Sequence, residues 1–184
     1  QDRAFAQEST STAMNFGSIV HALAEGVFNE EIEESIEAIE KILDSIWSKV
    51  KFATVMEGER EKRNAVDCMK RFLHWRKANA NKFVASEIDF DDHVDITNAE
   101  GVTERFRIKG QIDIVEISND NAVYIADIKT VGTAPKKEDT EKNMQLGLYQ
   151  YAVQRGFVQH QELVSMVKPI KTSGAALICV RLPE

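Results

Sequence analysis

The segment 110–132, GQIDIVEISNDNAVYIADIKTVG, carries the residues of this chain best suited to chemistry. It consists of two apolar runs around a polar turn, and each run contains one aspartate, Asp113 in the first and Asp127 in the second. Lys129 follows the second aspartate two residues later. A charged side chain in an apolar strand is costly unless it is paired or binds a metal. These three residues therefore need an ionic partner.

The alternation of side chains along a strand indicates how these groups meet. Asp127 and Lys129 are two residues apart, so they point to the same face of their strand. A hairpin that closes at the turn 119–121 sets Asp113 opposite Asp127. Paired carboxylates suit Mg²⁺ or Mn²⁺ rather than zinc, and a neighbouring lysine can stabilise charge on a phosphate. The pattern favours phosphodiester hydrolysis, and it leaves open a buried Asp–Lys ion pair that only fixes the register.

Other polar residues occur at positions where the surrounding pattern is apolar. His21 lies in a helical apolar stretch, with Glu25 one turn further on the same face. Glu87 enters the first predicted strand, ahead of the acidic hairpin. Gln145 and Tyr149 are four residues apart on a predicted helix and share one face. Taken singly, each of these also fits ordinary packing.

Hydrophobic periodicity predicts the elements that position these residues. Helices are expected near 14–27, 29–50 and 57–79, followed by three strands, a helix near 143–157 and a closing strand near 174–182. The segment 104–117 is expected to form a long or bulged strand with Gly110 at its bend. The predicted class is α/β, with a mixed β-sheet flanked by helices and an N-terminal helical region. We expect residues 1–184 to form one domain, mainly helical over 1–80, with the sheet core and one helix over 81–184.

Four motifs in this order resemble the RecB-like nuclease branch of the PD-(D/E)xK superfamily. They read GSIVHALAEG, KGQIDIVEI, YIADIKTVG and MQLGLYQYAV, and the closing SGAALICVRLPE is similar to the last core strand of helicase-linked members. The resemblance covers about residues 16–180. It implies a restriction-endonuclease-like core and the C-terminal nuclease domain of a helicase–nuclease of the AddAB, AdnAB or UvrD-like kind.

The resemblance also implies a set of site residues. His21, Asp113 and Asp127 match the metal ligands of the family, and the backbone carbonyl of Ile128 is a further ligand. Lys129 matches the catalytic lysine, so the implied catalytic residues are Asp113, Asp127 and Lys129. The implied cofactor is Mg²⁺ or Mn²⁺. Several relatives carry further cysteines that bind an iron–sulfur cluster. Since this chain has only 2 cysteines, no such cluster is expected here.

Further positions are expected to contact the nucleic acid or to support the metal. The resemblance places Gln145 and Tyr149 near the nucleic-acid backbone and makes Glu25 and Glu87 candidates for outer contacts to the metal. Four basic residues could line the DNA groove: Arg105, Arg107, Lys136 and Lys137. Lys136 and Lys137, which lie in the loop after the site strand, are the favoured DNA contacts.

The implied function is a Mg²⁺-dependent deoxyribonuclease, an exonuclease on single-stranded DNA that depends on ATP in its helicase context. It would act in recombination and double-strand-break repair in the bacterial cytoplasm. Two alternatives stay open: an inactive nuclease fold that docks in a repair complex, and a stand-alone phage or CRISPR-type exonuclease.

Composition bears on the partners. The formal net charge of −7 disfavours a stand-alone nucleic-acid binder, but a motor that delivers single-stranded DNA would supply the capture that an acidic domain lacks. No GxxxxGK phosphate loop is present. We therefore expect a helicase region before Gln1, with a partner helicase–nuclease subunit as a further possible contact. No apolar run approaches the ~20 residues that a membrane span needs, so no membrane partner is expected.

Overall fold

Between residues 16 and 78, apolar side chains at three- and four-residue steps form three helices. Helix α1 covers residues 16–28, α2 covers Ile36–Trp47 and α3 covers Val55–Ala78. The structure is a computed structural model that describes residues 16–133 and 135–181, without the side chain of Lys137. Helices α2 and α3 begin after Ser35 and Thr54, whose side chains accept backbone N–H groups of their first turns, as N-caps do.

The start of α2 differs from the sequence expectation. The expected helix began near residue 29, whereas the structure begins it at Ile36. Glu30 takes a positive φ of 61°, and the backbone N–H of Ile32 donates to the carbonyl of Gly26 at 2.9 Å. The chain therefore folds back on the end of α1. The acidic residues just after Glu30 lie in this connection and not on a helical face.

Four strands form one sheet in the order β1-β2-β3-β4. Their bounds are Lys82–Thr97, Thr103–Ile117, Val123–Lys129 and Thr172–Cys179. Strand β2 pairs antiparallel with β1 and with β3. Hydrogen bonds from Val123 N to Lys171 O and from Val180 N to Lys129 O show that β4 runs parallel to β3. The mixed sheet flanked by helices, and with it the α/β class, is as predicted.

Three helices connect β3 to β4, where the sequence predicted one. The predicted helix is α5, Met144–Arg155, which Asn143 caps and which ends at Gly156 in the left-handed region with φ 75°. The other two are α4, Lys137–Glu141, and α6, Gln161–Val164. These short helices were missed because five or four residues are too few to show a helical period.

The chain divides into two compact units. The first unit is made of the described parts of Gln1–Asn79, Ile128–Pro135 and Ile178–Glu184. In it, α3 holds the segment after β4: the Arg71 guanidinium donates to the carbonyl of Val180 at 2.7 Å, and Arg181 donates to the buried Glu61 at 3.0 Å. Cys68 is fully buried, and burial raises the pKa of its thiol to about 11. Cys68 is therefore a core thiol.

The second unit comprises Ala80–Asp127 and Lys136–Leu177. Its hydrophobic core is formed by residues of β1–β3 together with residues of α5 and of the segment that follows α5. Among the fully or nearly fully buried side chains of this core are Ile112, Val115, Val123, Ile125, Tyr149, Ala152, Val153 and Leu163. The boundary between the two units crosses β3 after Asp127 and β4 after Leu177.

Of the two alternatives expected for the segment around Gly110, a long strand or a bulged one, the structure has the long strand without a bulge at this glycine. Gly110 pairs regularly with Phe90, and the register shift of this hairpin lies between Phe83 and Ala85. A Cβ at Gly110 would lie 2.9 Å from the Phe90 ring and 3.1 Å from the ring of Tyr149. These two rings meet edge to face, with centroids 6.0 Å apart. A glycine stands here because two aromatic rings occupy the space of its side chain.

Two glycine substitutions with opposite expected effects test this packing. Gly110→Ala should lower the free energy of unfolding by about 1–3 kcal/mol because the added methyl group overpacks the core. Gly147→Ala should raise it by about 0.5–1 kcal/mol, since Gly147 lies in α5 with nothing within 4 Å of a Cβ and alanine favours the helix. Urea unfolding measures both. Equal stability of the two variants would show that the rings do not constrain residue 110.

Candidate metal centre

The β2–β3 hairpin aligns the two aspartates. Its register pairs Ile117 with Val123 and continues in step as far as Ile114 with Ala126. The next positions in this register are Asp113 and Asp127. The turn is closed by the Ser118 N–H, which donates to Ala122 O at 2.9 Å. The hairpin register expected from the sequence is confirmed, and it sets the two carboxylates on neighbouring strands.

Glu87 extends this row onto β1. Ser86 pairs with Ile114 and Ile88 pairs with Ile112, so Glu87 stands across from Asp113. A carboxylate oxygen of Glu87 and one of Asp113 lie within 4.8 Å of each other. Glu87 has a φ of 48°, a left-handed conformation that costs a non-glycine residue roughly 1–3 kcal/mol and that clusters at functional sites. The sequence placed Glu87 only as an outer contact to the metal, and the structure brings its carboxylate next to that of Asp113.

Three acidic residues thus follow one another across β1, β2 and β3. Asp127 is 2% exposed, and Asp113 and Glu87 are half-buried. Like charges held this close and away from water disfavour one another. A divalent cation with oxygen ligands removes this cost, and carboxylate oxygens fit Mg²⁺ or Mn²⁺. The donor set of the second unit therefore suits such an ion.

The first unit contains three other residues that the sequence motifs match to the site: His21, Ile128 and Lys129. Ile128 is buried and Lys129 is half-buried, and the carbonyl of Lys129 accepts the N–H of Val180 at 3.1 Å. A Cβ at Gly17 would lie 3.1 Å from the Thr130 hydroxyl, so α1 packs closely on the residue after β3. His21 follows Gly17 by four residues and shares its helix face.

The position of Gly17 was not recognised from the sequence. It allows α1 to approach the strand that carries Lys129, and the small residue four positions before the histidine was its only signal. The half-buried Glu25 follows His21 by one further turn.

Gln145 and Tyr149 share one face of α5, as predicted. The Gln145 amide donates to the Tyr149 hydroxyl at 2.8 Å. Tyr149 is 6% exposed and its ring packs on Phe90 in the core of the second unit. Gln145 is exposed. Of this pair, the glutamine amide is the group that faces solvent, and the tyrosine anchors it.

The basic residues expected near DNA differ in their surroundings. Lys136 is exposed at the start of α4, and the side chain of Lys137 lies outside the described residues. Arg107 forms a two-point ion pair with Asp91, which lowers the pKa of that carboxyl by hydrogen bonding. Arg105 lies 4.0 Å from Asp95. Of the residues whose side chains are described, Lys136 is therefore better suited than either arginine to meet a phosphate.

The family model of the PD-(D/E)XK nuclease superfamily matches residues 2–182. The chain belongs to this superfamily, whose members are nucleases that use divalent metals. No curated protein is significantly similar to the chain. Within residues 16–133 and 135–181, no helix has both the length and the apolar character needed to cross a membrane.

The acidic row predicts a link between metal binding and stability. Asp113→Asn should raise the stability of the metal-free chain by about 1 kcal/mol, because it removes one like charge beside Glu87, and Tm should rise by roughly 2–4 °C. Added Mn²⁺ should stabilise the wild type and have less effect on the variant. Differential scanning calorimetry in EDTA and in Mn²⁺ measures both quantities.

Asp95→Asn is the matched control. This exposed residue lies on β1, 4.0 Å from Arg105 on β2. It should leave the Mn²⁺ response unchanged. If Mn²⁺ stabilises the wild type and Asp113→Asn equally, Asp113 is not a ligand of the metal.

Proposed function

We propose that this chain is a Mg²⁺- or Mn²⁺-dependent deoxyribonuclease domain that hydrolyses phosphodiester bonds. The observation that carries the proposal is the acidic row on three neighbouring strands. Its members Glu87 and Asp113 have carboxylate oxygens within 4.8 Å, and Asp127 follows in the hairpin register. Lys129 stands two residues beyond Asp127 on β3, on the same face of the strand.

The ligands proposed for the ion are Asp113 and Asp127, with the carbonyl of Ile128 and the imidazole of His21. The first two are supported by the register, and the last two by the sequence motifs. Glu87 is proposed as a ligand or as an acceptor for water beside the ion, and Glu25 as a hydrogen-bond partner that orients His21. When bound, the cation supplies stabilisation of phosphate charge and a nucleophile at neutral pH.

Lys129 is proposed to act on the reacting phosphate. In the reaction, a water oxygen bonds to phosphorus, the bond to the leaving ribose oxygen breaks, and the leaving oxygen takes up a proton. The Lys129 ammonium orients the attacking water and donates to a phosphate oxygen as its negative charge develops. Lys129 lies on β3, which pairs with β2 and β4 in the sheet, so the backbone that carries the ammonium is fixed before the substrate arrives.

Gln145 and Lys136 are proposed to hold the DNA backbone. The Gln145 amide is exposed and is held by its hydrogen bond to the Tyr149 hydroxyl, and an amide N–H is a donor that suits a phosphate oxygen. Lys136, with Lys137 beside it, adds positive charge in the loop after the site strand. Because Tyr149 is anchored in the core, the glutamine meets the phosphate with little loss of side-chain freedom.

Single-stranded DNA delivered by a motor is the proposed substrate. The net charge of −7 makes unaided capture of DNA weak, and a helicase that threads one strand toward the site overcomes this. We therefore propose an exonuclease within an ATP-dependent helicase–nuclease of the bacterial cytoplasm, with a role in recombination and double-strand-break repair. The sequence resemblance to the RecB-like branch supports this context.

Removal of the lysine or the buried aspartate should abolish cleavage. Lys129→Ala and Asp127→Ala should each reduce Mn²⁺-dependent digestion of labelled single-stranded DNA by about 10²–10⁴-fold, since a positioned charge at the reacting phosphate is lost. Lys171→Ala is the control, because Lys171 is an exposed lysine paired with Asp120. Thermal melting verifies that each variant folds. Undiminished digestion by folded Lys129→Ala would refute the catalytic assignment.

Substitution of the loop lysine should weaken DNA binding without affecting the chemical step. Lys136→Ala should raise KM several-fold, leave kcat unchanged and reduce the salt dependence of binding by about one phosphate contact. Arg107→Ala serves as the comparison, since that guanidinium is held by Asp91 and its loss should change KM little. Fluorescence anisotropy over a salt series gives the slope of the logarithm of the binding constant against the logarithm of the salt concentration for each variant. A larger increase of KM in Arg107→Ala than in Lys136→Ala would show that the DNA contacts the β1–β2 hairpin and not the loop that carries Lys136.

A further inference from the structure

The outer part of the β1–β2 hairpin extends beyond the region that α5 covers. We define the ribbon as residues 91–109, the part of the two strands and their connection that lies past Phe90 and Gly110. Seven successive pairs, from Asp91 with Lys109 to Thr97 with Thr103, hold it together. Phe90 and Gly110 form the last row in contact with Tyr149 of α5. Beyond this row, most side chains of the two strands are exposed in the described part of the chain.

The two faces of the ribbon differ in chemistry. Because side chains alternate along a strand, Arg105, Arg107 and Lys109 lie on one face. Arg107 and Arg105 are there paired with Asp91 and Asp95. The charges of this face therefore offset one another across the two strands.

The opposite face continues the apolar face that forms the core of the second unit. It carries Val94 paired directly with Phe106, flanked by Ile108 and Ile96. Phe106 is 45% exposed and Ile96 is 53% exposed, while Ile108 still reaches the edge of the core. Val102 in the connecting loop is 52% exposed. Apolar side chains gathered on one exposed face mark an interaction surface, and a two-stranded ribbon gains stability when such a face is covered.

The charge on this apolar face is acidic. Within the described ribbon, the charged side chains on that face are Asp92 and Glu104, which stand at its two margins. Phosphate groups of a nucleic acid would be repelled by them. A second copy of the same face would bring the same acids together, which is also unfavourable. A protein surface that presents apolar side chains next to lysine or arginine complements both the apolar row and the acidic margins.

We propose that the apolar face of the ribbon is the docking surface for a partner protein segment that is apolar and basic. The partner covers Val94, Ile96, Phe106 and Ile108, and its lysine or arginine side chains meet Asp92 and Glu104. This proposal is independent of the nuclease assignment. Along β1 and β2, the acidic row lies on one side of the Phe90–Gly110 pair and the ribbon lies on the other side.

Two designed peptides test the proposal. Both have about four helical turns with leucine on one face, and they differ only in carrying lysine or glutamate on the polar face. By fluorescence anisotropy, the purified chain should bind the lysine peptide at least tenfold more tightly than the glutamate peptide. Added salt should reduce this preference. Equal affinity for the two peptides would overturn the proposal.

Matched variants locate the binding surface. Phe106→Ser and Ile96→Ser should each weaken binding of the lysine peptide at least fivefold, and Glu104→Gln should reduce the preference for lysine over glutamate. Arg105→Ser changes the adjacent residue on the opposite face and should leave affinity unchanged. Far-UV circular dichroism and thermal melting verify the fold of each variant. Binding that is insensitive to both Phe106→Ser and Ile96→Ser would overturn the proposal.

The competing occupants give different results. Sedimentation velocity that shows a dimer dissolved by Phe106→Ser would assign the face to a second copy. Binding of single-stranded DNA that is lost in Phe106→Ser and retained in Arg105→Ser would assign it to nucleic acid. Either outcome would refute a basic protein partner. A monomer whose DNA binding is the same in both variants would support it.

Discussion

The register of the β2–β3 hairpin is the constraint on which the candidate site depends. Side chains on a strand alternate between faces, so a slip of one residue would send Asp113 to the opposite face from Asp127. The register is set by the turn in which the Ser118 N–H donates to the Ala122 carbonyl, and it continues in step through the buried Val115, paired with Ile125, to Ile114, paired with Ala126. The core of the second unit thus holds two like charges side by side, at a cost that a bound divalent cation would offset.

The same core explains the details around the site. Tyr149 packs on Phe90 and above Gly110, and this contact ties α5 to the sheet three residues from Asp113. The Gln145 amide is held at the surface by the anchored tyrosine. In the first unit, a residue without a side chain at position 17 lets α1 pack on Thr130, directly after the catalytic lysine proposed here. Small residues therefore set the distances at which the polar motif residues are presented.

Charge is distributed so that acidic groups serve different purposes in different places. Glu61 is buried in an ion pair with Arg181, and Asp91 and Asp95 offset arginines on the ribbon. Glu87, Asp113 and Asp127 lie together across three strands, where a cation can balance them. The net charge of −7 therefore reflects several local arrangements. It is compatible with a nuclease in which a few basic residues, such as Lys136, contact the substrate.

The amino-acid sequence by itself determined the α/β class, the order of the main elements, the β2–β3 register and the shared face of Gln145 and Tyr149. These features follow from local periodicity and short motif spacing, which are visible in neighbouring residues. Tertiary structure alone decided the late start of α2, the strained backbone of Glu87 beside Asp113 and the aromatic contact that requires Gly110. It also decided which part of the β1–β2 hairpin is not covered by α5. Each of these depends on contacts between residues far apart in the chain, and periodicity indicates which face is apolar but not what packs against it.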